Sequence, residues 1–158
     1  MEGLNNILVV SMGSKHCLRA VQMGISIARK YDAKLFIVHI SYNPFGLEGW
    51  NLPLSSMKTL QEEFTSMTRK EKEILDQYIR SEDLTGLSIE QTEVEGNPKD
   101  EIPKLIEKKD IDLLVMVAHE QEHIEHFISG RDIHDLVRKM PCSIFLVRRE
   151  LEFKKFNV

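Results

Sequence analysis

The sequence predicts an open α/β protein: a three-layer sandwich in which helices cover both faces of a five-stranded, mainly parallel sheet. Short apolar runs rich in β-branched residues alternate with segments in which apolar residues recur every three or four positions. Runs of the first kind are typical of strands buried on both faces, and segments of the second kind are typical of amphipathic helices. Right-handed crossovers are therefore expected to lay successive strands parallel to one another.

The first two strands and the helix between them form the first βαβ unit. Residues 6–12, NILVVSM, and residues 34–40, KLFIVHI, are continuous apolar runs of strand length. Between them, apolar residues at helical spacing predict a helix over residues 16–31. Arg29 and Lys30 lie in its last turn, where cations interact favourably with the helix dipole. We therefore expect a crossover helix between two parallel strands.

A long irregular segment precedes the longest predicted helix. Residues 41–57 combine prolines and glycines with aromatic residues, which predicts a long loop. Trp50 makes this loop a candidate lid or partner contact, with simple packing over the sheet as the alternative. Ser55 or Ser56 is the expected N-cap of the helix, whose apolar stripe continues to about Arg80.

The second half of the chain continues the alternation of strands and helices. Residues 87–94, LSIEQTEV, partly alternate apolar and polar positions, which indicates a third strand with a more exposed face. Gly96, Asn97 and Pro98 predict a turn into a helix that ends near Lys109. The remaining elements are a fourth strand, a last helix and a fifth strand, at residues 112–117, 130–139 and 143–147.

Length and composition predict one soluble domain over residues 1–158, with residues 149–158 as a C-terminal extension. The 158 residues are 42% hydrophobic and carry a net charge of −4, which gives no general attraction to nucleic acid. Cys17 and Cys142 do not form a metal-type pair, and no secretory signal or apolar run of about 20 residues is visible. We expect a cytoplasmic protein without membrane insertion or a nucleic-acid partner.

Four motifs in order resemble the universal stress protein family. ILVVSMGSKHCLRAVQMGISIARKYDAKLFIVHI is similar to the family opening ILVPVDGSxxSxxAxxxAxxLAxxxxAxLxLLHV, and VEGNPKDEIPKLIEKKDIDLLVM resembles VxxGxPxxxIxxxAxxxxxDLIVMG. VAHEQEHIEHFISGR keeps the register of the family's nucleotide signature, and MPCSIFLVR resembles the closing strand APCPVLVVR. The resemblance implies strand order 3-2-1-4-5, as in the adenine nucleotide alpha hydrolase-like fold. It also implies a homodimer that pairs through the last strands, Ser143 to Val147.

The nucleotide signature is degenerate in this sequence. ATP-binding members place GxxG directly after the fourth strand, then nine residues, then Gly-Ser or Gly-Thr at the start of a helix. Val117 and Glu120 occupy the two glycine positions, Gly130 matches the third glycine, Arg131 replaces the hydroxyl residue, and Met12 replaces a ribose-binding aspartate. A glutamate about 4 Å from a phosphate charge costs about 4 kcal/mol at an effective dielectric constant of 20.

The resemblance therefore points to the UspA-like branch of the family, which lacks the glycine signature. We expect a non-catalytic, homodimeric stress-response regulator or interaction module without normal ATP binding and without a required cofactor. The alternative is a nucleotide sensor or weak ATPase whose variant site would be formed by Ser11, Met12, Gly13, Ile40, Met116, Gly130 and Arg131. In that site, Arg131 beside a helix N-terminus would clamp a phosphate; otherwise it forms a surface ion pair.

A second motif lies inside the same loop. Residues 119–123 spell HExxH, which on a helix sets two imidazoles on one face to bind zinc and provides a glutamate as general base. This pentapeptide directly follows a buried strand, where the family has an irregular loop, so we do not expect a metalloprotease. Two alternatives stay open, a polar loop or adventitious metal binding by His119, His123 and His126.

The remaining candidate side chains are expected to be structural. His39 lies where the family usually has a histidine at the end of the second strand, and we expect a hydrogen-bonded residue rather than a base. Cys17 and Cys142 are expected to be small packing residues. Spacing alone identifies no nucleophile beside a general base.

Overall fold

The computed structural model describes residues 3–11, 17–41, 54–118 and 130–148, and within them five strands alternate with four helices. The strands are β1 (Asn6–Ser11), β2 (Lys34–Ser41), β3 (Ile89–Glu95), β4 (Leu113–Ala118) and β5 (Ser143–Arg148). The helices are α1 (Cys17–Tyr31), α2 (Leu54–Ser81), α3 (Pro98–Lys109) and α4 (Gly130–Lys139). The strands form one parallel sheet in the order β3-β2-β1-β4-β5, which confirms the predicted fold class and strand order.

Two hydrophobic clusters cover the two faces of the sheet, because successive side chains of a strand point to opposite faces. In β1, Ile7 and Val9 belong to one cluster, whereas Leu8 and Val10 belong to the other. The first, here called the α1/α2 cluster, includes helix residues Ala20, Val21, Ile25, Ala28, Leu75 and Ile79. The second, the α3/α4 cluster, includes helix residues Ile102, Ile106 and Leu136. The runs predicted as doubly buried strands are thus buried on both faces.

Helix α1 lies against β1 at a glycine. Its buried residues recur at the predicted spacing of three or four, and Gly24 is one of them. A Cβ atom built on Gly24 would overlap with Cγ2 of Val9 and would lie 3.4 Å from Cδ1 of Leu35. The absence of a side chain at this position therefore sets the distance between the helix and the two central strands.

Helix α3 begins and ends as its sequence predicts. Asn97 is the N-cap, and its Oδ1 accepts a hydrogen bond of 3.0 Å from the backbone N–H of Lys99. Pro98 lies in the first turn, where its missing N–H needs no partner. The helix ends at Lys109, and Asp110 follows in the left-handed conformation with φ of 50°.

Several predicted boundaries were wrong by one or more residues. Helix α2 begins at Leu54, so Ser55 and Ser56 lie in its first turn and neither is the N-cap. Strand β3 begins at Ile89 rather than at residue 87, because the N–H of Leu87 donates to the carbonyl of Leu84 in a turn. Strand β4 begins one residue after Asp112, whose carboxylate accepts from two backbone N–H groups at the start of β1.

Two expectations about single elements are confirmed. Strand β3 is an edge strand with mostly exposed side chains, as its partial alternation predicted. Cys17 is buried on α1, and Cys142 packs against the α3/α4 cluster, as expected of small packing residues. No helix in the described parts of the chain is long and apolar enough to cross a bilayer.

Replacement of Gly24 by alanine should destabilise the fold, because the added methyl group would overlap with Val9. Overpacking of this kind typically costs about 1–3 kcal/mol of unfolding free energy, and urea denaturation measures it. Gly3→Ala is the matched control, because a Cβ at Gly3 meets no atom within 4 Å. Equal stability of Gly24→Ala and the wild type would contradict the close approach of α1 to β1.

Candidate functional site

The candidate site lies at the carboxyl ends of the central strands. Strand β1 pairs with β2 on one side and with β4 on the other, so the strand order reverses next to β1. Ser11 pairs with His39, and Val9 pairs with Val115, so the three strands end close to the same edge. Ligands of open α/β sheets bind in the crevice at such a switch point.

The residues predicted for the variant nucleotide site are only partly brought together. Ser11, Ile40 and Met116 lie at this edge, and all three are buried. Ile40 and Met116 belong to the α3/α4 cluster, whereas Ser11 lies on the same face as Ile7 and Val9. Their side chains therefore do not converge on one cavity, and only the backbone at these positions could face a shared ligand.

Other predicted residues lie partly or wholly outside the described structure. Gly130 begins α4 and Arg131 follows in its first turn, but the side chain of Arg131 is outside the described atoms. The other predicted positions outside the described residues are Met12, Gly13, Trp50, His119, Glu120, His123, His126 and the extension 149–158. Within the described ranges, no three histidine, cysteine or acidic residues are close enough to hold a metal ion.

Val117, at the first glycine position of the signature, is part of the hydrophobic core. Its side chain is 1% exposed and belongs to the α1/α2 cluster. Strand β4 continues past it to Ala118, and these two residues pair with Val147 and Arg148 of β5. The position thus holds a packed strand residue and not the bare backbone that a glycine would offer to a phosphate.

A row of polar residues crosses three neighbouring strands at this edge. His39 of β2 pairs with Ser11 of β1 on one side and with Glu93 of β3 on the other. The imidazole is 4% exposed, and its Nδ1 lies 3.4 Å from Oγ of Ser11, a long hydrogen bond. His39 therefore has the hydrogen-bonded, structural setting that the sequence predicted.

The charge state of His39 follows from its surroundings. Burial lowers the pKa of His39 from its usual value, since the low dielectric of the interior disfavours the imidazolium. Glu93 and Asp76 oppose this effect, and Lys72 adds to it. Because the net direction is downward, the ring is neutral at neutral pH.

A groove missed by the sequence analysis lies beside this row, between α2 and the edge strand β3. Its volume is about 390 Å³, and its lining residues are His39, Lys72, Asp76, Arg80, Gln91, Thr92 and Glu93. The helical spacing of Lys72, Asp76 and Arg80 was visible in the sequence as a polar face. Nothing in that spacing indicated that the face lies against a strand rather than in solvent.

The strand order and the switch point define the class of protein. A parallel sheet of order 3-2-1-4-5 with helices on both faces is a doubly wound α/β fold. The sequence model described as the universal stress protein family matches residues 3–148. The chain therefore belongs to the universal stress protein family.

Individual proteins agree with this assignment. A protein from Staphylococcus haemolyticus, named as a universal stress protein, is 30% identical over 92% of this chain and 85% of its own length. A universal stress protein of Methanocaldococcus jannaschii is 28% identical over 90% of this chain and 81% of its own.

Solved structures share the fold at lower identity. UspA from Lactobacillus plantarum has a TM-score of 0.65 at 18% identity, with 94% of this chain and all of that chain covered. A universal stress protein solved in complex with cAMP has a TM-score of 0.59 at 20% identity, with 93% and 98% covered.

The buried His39 should make stability depend on pH in the acid range. The unfolded chain binds a proton at His39 below about pH 6.5, whereas the folded chain resists protonation until lower pH. The neutral buried ring of His39 therefore makes its full contribution to stability above about pH 6.5. This contribution is lost as the pH falls through the pKa of His39 in the folded protein. Urea denaturation of wild type and His39→Gln at pH 7.5 and pH 5 measures the difference.

The wild type should lose more unfolding free energy between these two pH values than the variant, by up to about 1.4 kcal/mol per pH unit. Titration of the imidazole by NMR checks the sign directly. Equal losses in the two proteins, or a His39 midpoint above the usual value, would contradict the neutral buried ring.

Proposed function

We propose that this universal stress protein is a non-catalytic, homodimeric stress-response regulator or interaction module that does not bind ATP with normal affinity. The observation that carries the proposal is the burial of Val117, the residue at the first phosphate-loop position. A phosphate loop needs backbone that the ligand can approach, and glycine provides it because it has no side chain. Here the side chain is packed between the sheet and α1, and β4 is still paired at the next residue.

The remaining substitutions of the signature support the same reading. Met12 offers no carboxylate to a ribose, and Glu120 would place negative charge beside the phosphates. The buried hydroxyl of Ser11 lies against the neutral ring of His39. Val117, Met12 and Glu120 each weaken a different part of the nucleotide site, so no single reversal restores it.

A nucleotide sensor is the second candidate, and the start of α4 favours it. This ten-residue helix begins at Gly130, and a helix N-terminus presents unpaired N–H groups and a positive dipole end to an anion. Arg131 in the first turn would add a fork-shaped cation. The protein of this fold that was solved with cAMP indicates that the architecture accommodates an adenine nucleotide.

Dimerisation is proposed through β5, the edge strand opposite β3. An edge strand exposes a row of unpaired backbone groups that another chain can pair with. Phe145 and Leu146 are 40% and 43% exposed, which is a large fraction for neighbouring apolar residues on a strand. A second copy that pairs antiparallel with β5 would cover both side chains.

Calorimetric titration with ATP and magnesium should give no measurable binding heat, and heat-denatured protein should release no nucleotide. A dissociation constant near or below about 10 μM would contradict the first proposal. Two variants then separate the candidates. If the variant site is functional, Arg131→Ala should weaken ATP binding and Glu120→Gly should strengthen it. If the protein is an interaction module, neither variant should bind ATP measurably.

Leu146→Lys should shift the protein from dimer to monomer, because a lysine would have to be desolvated where two edge strands pair. Light scattering should then show the 18.3 kDa mass of one chain instead of twice that mass. Ile74→Lys is the matched control, since Ile74 is equally apolar, 46% exposed, and lies on α2. A wild-type protein of monomer mass would contradict the proposal, as would equal dissociation of both variants.

A further inference from the structure

The groove between α2 and β3 adjoins the predicted nucleotide site but is lined by different residues. None of its lining residues belongs to the set formed by Ser11, Met12, Gly13, Ile40, Met116, Gly130 and Arg131. Its volume of about 390 Å³ lies at the small end of the range of ligand pockets. The groove is therefore large enough for a small organic molecule.

Most charges that line the groove already have partners. Nζ of Lys72 lies 3.1 Å from Oε2 of Glu93 and 3.9 Å from Oδ2 of Asp76. Oδ1 of Asp76 accepts a hydrogen bond of 2.6 Å from Nε2 of Gln91. These contacts hold the two carboxylates in place, with Lys72 as the one cation that contacts both of them.

Arg80 differs from its neighbours in the groove. Among the residues whose positions are described, no carboxylate lies within ion-pair distance of its guanidinium, although it lines the same groove as two carboxylates. A guanidinium presents five N–H donors in a planar fork that matches a carboxylate. Arg80 thus offers a guanidinium that no described carboxylate of the groove contacts.

His39 supplies the second observation. Its Nδ1 faces Ser11 of β1, and His39 also lines the groove, so Nε2 is the ring nitrogen available to a ligand there. No hydrogen-bond partner of Nε2 is found among the described residues, although the side chain is only 4% exposed. When the hydroxyl of Ser11 donates to Nδ1, the neutral ring carries its proton on Nε2, so the ring offers a buried N–H donor. A buried donor of this kind is expected to have a partner.

We propose that the groove binds a small monocarboxylate, with the fork of Arg80 on the carboxylate and Nε2–H of His39 as a further donor. One negative charge is favoured over two because Lys72 and Arg80 are balanced by Asp76 and Glu93, so the empty groove is electrically neutral. A phosphate dianion would bring a second negative charge close to both acidic side chains, with no further cation in the groove to offset it. The charge balance of the groove therefore favours a monoanion, and the fork of Arg80 favours the planar shape of a carboxylate.

The test is an NMR titration of the full chain with sodium acetate, compared with sodium chloride at equal ionic strength and pH 7.5. The signals to follow are the side-chain amide of Gln91, the backbone amides of Thr92 and Glu93, and the imidazole nitrogens of His39. Acetate should shift these signals saturably, with half-saturation on the order of 10 mM for so small a ligand. Chloride should not reproduce the saturation.

Matched arginine variants connect this binding to Arg80. Arg80→Gln should weaken acetate binding about tenfold, as expected for the loss of a charge-assisted pair. Arg80→Lys should recover only part of the affinity, because the charge remains and the fork is lost. Arg69→Gln removes the same charge from an exposed position of α2 outside the groove and should leave the affinity unchanged.

Three results would overturn the proposal. Shifts that stay linear with acetate concentration would indicate that the groove holds only water. Equal weakening by Arg80→Gln and Arg69→Gln would indicate a general effect of charge. Tighter binding of inorganic phosphate than of acetate would show that the groove does not select a single negative charge. None of these results depends on whether ATP binds or on whether β5 pairs with a second copy.

Discussion

The burial of β1 on both faces is the constraint on which the rest of the structure depends. Residues 7–10 have no exposed surface, and each alternate side chain enters a different hydrophobic cluster. Burying an apolar side chain of this size contributes about 1.5–3 kcal/mol, so this strand is a major part of both cores. Because β1 is central, its two neighbours end beside it, and this arrangement creates the switch point and brings His39 next to Ser11.

Core packing and phosphate binding place opposite demands on the end of β4. A phosphate loop needs exposed amides without side chains, whereas the α1/α2 cluster needs an apolar side chain where Val117 lies. In this chain the core requirement is met, and pairing with β5 continues through Ala118. The same pairing leaves the outer side of β5 as an unpaired edge. The end of β4, where the buried Val117 counts against phosphate binding, therefore lies next to the surface proposed for dimerisation.

His39 lies between the switch point and the groove between α2 and β3, and its ring contacts both. One ring nitrogen faces Ser11 at the switch point, and the ring also lines the groove between α2 and β3. Burial lowers the pKa of His39 and keeps the imidazole neutral, so it acts as a directional donor and acceptor rather than as a charge. A ligand in the groove would therefore contact the same side chain that supports the edge of the nucleotide region.

The sequence by itself determined the alternation of strands and helices, the start and end of α3 and the loss of the glycine signature, because these depend on local spacing and residue type. It misplaced the start of α2, since serine is accepted both as an N-cap and within a first helical turn. Only the tertiary structure decided that Val117 is core and that Lys72 meets Glu93. The physical reason is that helical spacing identifies a polar face, whereas the strand opposite that face depends on sheet order and on pairing between distant segments.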